Sequence, residues 1–178
     1  MIFDSPEAFT SMNQAYLLIG GNLGNREENI ARAVKEIGDR CGQIKKTSAI
    51  YETAAWGKTD QPDFLNQVLL IETEKLPGDL LDQLLSVELD MGRFRNEKNG
   101  PRIIDMDILF FNDEIIDENT LQIPHPRLAE RRFALVPLAE IDGGKIHPVL
   151  GRTVDELLAD CPDTLPVYKL TGIVHNKE

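Results

Sequence analysis

Between Ile103 and Phe111 the chain reads Ile-Ile-Asp-Met-Asp-Ile-Leu-Phe-Phe, an apolar stretch interrupted only by two aspartates. Its β-branched and aromatic content, and its shortness, favour a strand over a helix. Side chains alternate along a strand, so Asp105 and Asp107 share one face while Ile104, Met106 and Ile108 point to the other. A strand so built must cover its apolar face with other elements and meet the carboxylate face with something cationic. Like charges next to one another in an apolar strand are costly unless cations neutralise them. Two strand positions span roughly 6.6 Å, and paired catalytic metals sit about 3.5–4 Å apart. The two aspartates are therefore candidate ligands for two magnesium ions.

The remaining pattern organises around that strand. Ala15 to Ile19 reads as a buried strand halted at Gly20-Gly21-Asn22, a tight strand-to-helix turn. Although this turn is glycine-rich, it lacks the lysine of a phosphate loop and the spacing of a dinucleotide fingerprint. From about Arg26 a helix is predicted, with Ile30, Ala33, Val34 and Ile37 on one side. Lys45 to Thr53 suits a second strand, Ala54 to Pro62 a loop, and Phe64 to Glu72 a third strand. Pro77 opens a second amphipathic helix through Leu80, Leu81, Leu84, Leu85 and Met91, ended by Gly92. The order β-α-β-β-α-β is that of a ferredoxin-like α+β fold, an antiparallel sheet with helices packed on it. A short hairpin strand at Ile115-Ile116, a helix from Arg132 to Ile141 and a short one at Val154 to Leu158 extend it. We expect a polar extension over residues 1–13 and one domain over 14–178.

The 178 residues carry a net charge of −11, which disfavours general nucleic-acid or anionic-membrane binding. Against that background the basic residues cluster: Arg93, Arg95, Lys98 and Arg102 in one window, Arg127, Arg131 and Arg132 in another. Two such windows in an acidic chain suit a pocket for a compact polyanion such as a nucleoside triphosphate, though either alone is ordinary surface charge. Cys41 and Cys161 show neither zinc nor disulfide spacing. Without a secretory start or an apolar run of transmembrane length, the expected location is the cytoplasm. Phe64 and Asn66 share a strand face, an aromatic platform beside a carboxamide that suits a flat heteroaromatic edge or equally an ordinary core. His125 stands between Pro124 and Pro126, and Glu88 lies one turn before Gly92. Alone, Glu88 reads as a solvated helix residue.

Three pieces together carry a resemblance. They are Gly92-Arg93-Phe94-Arg95 followed by Gly100-Pro101-Arg102-Ile103-Ile104-Asp105-Met106-Asp107, then Pro124-His125 with Arg131-Arg132-Phe133, and Gln61 to Asn66. From Tyr16 to Ile141 the chain resembles the 6-hydroxymethyl-7,8-dihydropterin pyrophosphokinases of folate synthesis. The resemblance implies transfer of pyrophosphate from ATP to the pterin hydroxymethyl group, releasing AMP. It implies two Mg2+ on Asp105 and Asp107, with Arg93 and Arg102 as catalytic cations. For the pterin it implies Asn66 on the ring edge, Phe64 and Phe133 on its faces, and Thr53, Ala55 and Trp56 of the Thr53–Gly57 loop. ATP is assigned to Glu88, Arg95, Arg102, Ile108, His125 and Arg131. Further implications are closure of the Gly92–Gly100 loop over the phosphates, a monomer, small-molecule partners only, and no room for a second fused enzyme. The chain departs from the family pattern at Leu85, Asn99 and Trp56. Two other readings stay open on residues alone: a nucleotidyltransferase with an Asp-x-Asp metal pair, and a ferredoxin-like binding module without catalysis.

Overall fold

A computed structural model describes residues 11–94 and 98–171. Five strands follow one another across one sheet in the order β5 (Asp105–Phe111), β1 (Asn13–Gly21), β4 (Phe64–Thr73), β3 (Tyr51–Thr53) and β8 (Tyr168–Lys169), and β2 (Gln43–Thr47) is also paired to β4. The central strand β1 (Asn13–Gly21) lies antiparallel between β4 (Phe64–Thr73) and β5 (Asp105–Phe111). Helices α1 (Arg26–Arg40) and α2 (Pro77–Asp90) complete the β-α-β-β-α-β core of a ferredoxin-like fold. Helix α1 starts where the Asn25 side chain accepts from Glu28 N, and buries Ile30, Ala33 and Ile37. Pro77 occupies the first turn of α2, whose inward face is Leu80, Leu84, Val87 and Glu88. These apolar side chains meet Leu17, Ile19, Leu69, Ile71, Ile104, Met106 and Ile108 from the sheet. Each large aliphatic side chain so buried contributes roughly 1.5–3 kcal/mol of transfer free energy.

The other sheet face carries a second apolar layer. Tyr16, Leu18, Val68, Leu70, Leu109 and Phe110 pack against α3 (Arg132–Asp142) and α4 (Val154–Ala159). Antiparallel alternation thus makes a three-layer unit, and the aspartates lie on the α3 side. A hairpin of β6 (Ile116–Asp117) and β7 (Gln122–Ile123) follows β5. Among the described residues no helix is long and apolar enough to cross a membrane.

Two expectations need correcting, and one strand was not expected. The predicted strand Lys45–Thr53 is two strands, β2 (Gln43–Thr47) and β3 (Tyr51–Thr53). Ser48 separates them: its N–H donates to Val68 O at 2.9 Å, but its hydroxyl, not its carbonyl, accepts from Val68 N at 3.0 Å. A side-chain oxygen replacing a ladder carbonyl turns the backbone out of register. Gly20 and Gly21 belong to β1 rather than to a turn. A Cβ on Gly20 would stand 2.1 Å from Asn66 Oδ1, and one on Gly21 would stand 2.1 Å from Ile103 O. Closeness of neighbouring chains, not turning, requires these glycines; the turn residue is Gly24, at φ 69°. Finally, β8 (Tyr168–Lys169) pairs with β3, an edge strand that two polar-ended residues do not announce.

Candidate active site

Strand register collects the chemistry at one end of the sheet. Gly20 is paired on one side with Asp105 and on the other with Asn66, while Leu18 is paired with Asp107. Two strand spacings separate Asp105 from Asn66, about 10 Å between their Cα atoms. Thr53 is paired with Phe64, so the loop after β3 rises beside the Asn66 position. Together these strand ends form the floor of a cavity of about 510 Å³. Its walls are supplied by Trp56, by Arg93 and Phe94, by the 98–102 segment, and by His125, Arg131 and Phe133.

Both cation windows converge on the carboxylates. Arg93 Nη1 lies 2.6 Å from Asp105 Oδ1 and 2.8 Å from Glu88 Oε2. Arg102 Nε lies 3.2 Å from Asp105 Oδ2 but off line, so the pair is ionic without a hydrogen bond. Glu88 is not the solvated helix residue its position suggests: it is 2% exposed, and its Oε1 accepts from Met106 N at 2.7 Å. Burial raises the Glu88 carboxyl, opposed by the Arg93 charge. Burial pulls the Arg93 guanidinium down, yet Asp105 and Glu88 outweigh it and hold its pKa above the usual value. Burial, and then the Asp105 charge, push Asp107 up to about 7, with Arg131 acting in the opposite direction. A carboxylate in that condition stabilises any cation placed beside it.

His125 is fixed at its backbone and at one ring nitrogen. Its backbone N–H donates to Leu109 O at 3.0 Å, and its ring Nδ1 accepts from Arg127 N at 3.1 Å. Neutral His125 therefore carries its proton on Nε2. Burial and the Arg131 charge lower its pKa to about 4, so it is neutral at pH 7. Arg131 itself is lowered by burial, and its Nε has no hydrogen-bond partner among the described residues.

The aromatic residues are covered by guanidinium groups. Arg102 stands 4.7 Å over the Phe64 ring, and Arg131 stands 5.7 Å over Phe133 and 5.5 Å over Trp56. Thr53, Trp56, Phe64, Asn66, Arg93, Arg102, Asp105, Asp107, His125, Arg131 and Phe133 thus line one space. Ala55 and Ile108 do not. Ala55 is 2% exposed, and the Ile108 side chain joins the layer under α1 and α2, as strand alternation requires. Glu88 reaches the cavity through Arg93. Arg95, and with it the middle of the loop expected to close over phosphates, lies outside the described residues.

One organising residue lies where the sequence predicts only a turn. Asn22 is 2% exposed. Its Oδ1 accepts from Arg102 N at 2.9 Å, and its Nδ2 donates to Gln61 Oε1 at 3.0 Å and Pro62 O at 2.9 Å. Gln61 Nε2 in turn donates to Lys58 O and Asn99 O. The segment carrying Arg102 and the loop carrying Trp56 are therefore tied to each other through the end of β1. An asparagine directly after a strand and two glycines is the only sequence signal for this role.

Residues 16–143 match the family model described as 7,8-dihydro-6-hydroxymethylpterin-pyrophosphokinase. A 2-amino-4-hydroxy-6-hydroxymethyldihydropteridine pyrophosphokinase of Aquifex aeolicus (strain VF5) is 41% identical over 145 residues, 82% of this chain and 90% of that protein. The protein of that name from Bacillus subtilis (strain 168) is 43% identical over 130 residues, 72% of this chain and 78% of its own. The fold is also that of a crystal structure of Plasmodium falciparum HPPK-DHPS with pterin and p-hydroxybenzoate. There the TM-score is 0.66 at 20% identity, over 84% of this chain and 43% of that one. With the family matched over most of its length, the chain belongs to the pyrophosphokinases that use ATP to pyrophosphorylate 6-hydroxymethyl-7,8-dihydropterin in folate synthesis.

Proposed function

We propose that this reaction takes place in the cavity with ATP at the Arg131–His125 side, the pterin at the Phe64–Asn66 side, and two magnesium ions on Asp105 and Asp107. The observation that carries the reading is the convergence of both carboxylates and three arginines on one space floored by strand ends. The pterin hydroxymethyl oxygen attacks the β-phosphorus, the bond from that phosphorus to the oxygen of the α-phosphate breaks, and AMP leaves. The new P–O bond replaces the hydroxyl O–H, and its proton is released. Such transfer needs alignment and charge stabilisation more than covalent help from the protein.

The donor set fits magnesium. Asp107 is pushed up to about 7 by burial and by Asp105, so a cation is what that carboxylate lacks. Among the described residues no group of three or more His, Cys, Asp or Glu forms a ready metal cage. Magnesium commonly takes one or two carboxylates and completes its shell with phosphate oxygens and water. Held by Asp105 and Asp107, it would supply positive charge to polarise the phosphate chain and offset charge on the leaving group. Arg93, Arg102 and Arg131 act on the remaining phosphate charge, and His125 offers its Nε2–H to a phosphate oxygen. Asn66 reads the donor–acceptor edge of the pterin, with Thr53, Ala55 and Trp56 in the facing loop and Phe64 and Phe133 along the ring. Glu88 positions Arg93; Arg95 and the backbone at Ile108 belong to the nucleotide side.

We further read residues 14–178 as one unit that works as a monomer in the cytoplasm and takes small molecules rather than nucleic acid or membrane, in keeping with its net charge of −11. The deciding assay follows nucleotide products with ATP and magnesium, with and without 6-hydroxymethyl-7,8-dihydropterin. AMP formed only with the pterin is the expected result. ADP as product, or AMP independent of the pterin, would overturn the assignment.

A further inference from the structure

Trp56 lies in the loop that faces the pterin side, yet its ring is in contact with the cations of the opposite wall. Arg131 Cζ is 5.5 Å and Arg127 Cζ is 6.0 Å from its ring centroid. Arg131 also stands 5.7 Å from the Phe133 ring. The guanidinium of Arg131 therefore lies over two aromatic rings, Trp56 and Phe133. Stacking uses the π-face of a guanidinium, while its five N–H groups lie in the plane. A stacked arginine keeps its donors for an anion, and Arg131 Nε is buried without a hydrogen-bond partner among the described residues. No carboxylate within ion-pair distance fixes Arg131 either, among the described residues; its pull towards Asp107 is longer-range. Aromatic contact is what remains to set its direction.

We infer that Trp56 is a positioning residue for the nucleotide: it aims Arg131 at the triphosphate before any pterin arrives. The inference rests on the reading that Arg131 holds ATP, and it gives the Trp56 loop a second task besides facing the pterin. One ring then serves two wells, because a shift of the loop on the pterin side moves the stacking partner of an arginine on the phosphate side. Arg127, exposed at the rim, shares the same ring and adds positive potential at the nucleotide entrance.

The test separates the two tasks by omitting the pterin. Binding of magnesium with a nonhydrolysable ATP analogue is measured by calorimetry for the wild type, Trp56→Leu and Trp56→Phe. Loss of a desolvated cation–π contact weakens binding by about 5- to 30-fold, so Trp56→Leu should bind the analogue that much less tightly. Trp56→Phe, which keeps a ring, should return to within about 3-fold of the wild type. In the wild type the analogue alone should also change Trp56 fluorescence. Equal analogue affinity in Trp56→Leu, with only the pterin KM raised, overturns the inference and leaves the site reading intact. Analogue affinity in Arg131→Ala equal to that of the wild type overturns the reading of Arg131 on which it rests. Near-ultraviolet circular dichroism of Trp56→Leu, free of a global change in the other aromatic bands, establishes that the variant is folded.

Discussion

Replacing Asn22 by alanine removes a side chain that touches neither substrate in our reading, yet should damage the binding of both. The side chain makes three hydrogen bonds: from Arg102 N, to Gln61 Oε1 and to Pro62 O. At about 1 kcal/mol net for each, their loss amounts to about 3 kcal/mol. The site is 2% exposed, so the abandoned groups regain little solvation unless water enters the space left. For a chain of this length 1 kcal/mol moves the melting temperature by about 2–4 °C, which gives a fall of roughly 6–12 °C. Thermal unfolding by circular dichroism measures this directly. Gln61→Ala also removes three hydrogen bonds, but it should cost less because Gln61 is only half-buried and water can replace them, and the double variant should fall short of the sum because the two residues share one bond. Kinetics supply the second half: Asn22→Ala should raise the KM for ATP and for the pterin together, since Arg102 sits on one wall and Trp56 on the other. A variant melting within about 2 °C of the wild type, or raising only one KM, would refute the argument that Asn22 ties the walls.

Other expectations are more local. Asp107→Ala should fold normally and lose turnover by roughly 10³-fold or more, with no recovery at saturating magnesium; near-normal turnover would remove the metal assignment. Asn66→Ala should raise the pterin KM by about 10- to 100-fold through two lost hydrogen bonds, while the ATP KM changes little. His125 should set part of the acid limit of stability. Its folded pKa of about 4 lies below the ordinary 6.5, so its contribution is complete above pH 6.5 and is lost as pH falls towards 4. Asp107 acts in the opposite sense over that range. The comparison is therefore of denaturant midpoints for the wild type and His125→Asn from pH 7 to pH 4, where the variant should show a smaller acid loss; parallel curves would exclude the histidine.

The elements with strong periodicity were legible from the residues: β1, α1, β4, α2 and β5 lie close to where their patterns put them. Period two also placed Asp105 and Asp107 together, and Ile108 away from them. What was not legible depended on partners far along the chain. The Ser48 hydroxyl breaks the second strand only because Val68 stands opposite, and alternation across Lys45–Thr53 contains no sign of that. β8 forms because β3 offers an open edge, not through its own propensity. Glu88 reads as an exposed helical acid until Met106 N and Arg93 are seen beside it. Gly20 and Gly21 read as a turn since a sequence shows flexibility but not proximity; the atoms they make room for, Asn66 Oδ1 and Ile103 O, are more than forty positions away. The motif residues were recognisable because their chemistry is local, whereas Asn22 is a connector whose meaning lies in three distant partners.

The clasp of Arg93 by Glu88 and Asp105 has an implication for how the resting enzyme behaves towards solutes. An acid already satisfied by its own chain is a poor trap for stray divalent ions, which must evict a guanidinium and find it no new home. A metal escorted by a nucleotide tail brings both the replacement charge and the anion to which the displaced arginine can turn. If the proposed metal assignment holds, a preference for the escorted ion over the free one follows from that clasp.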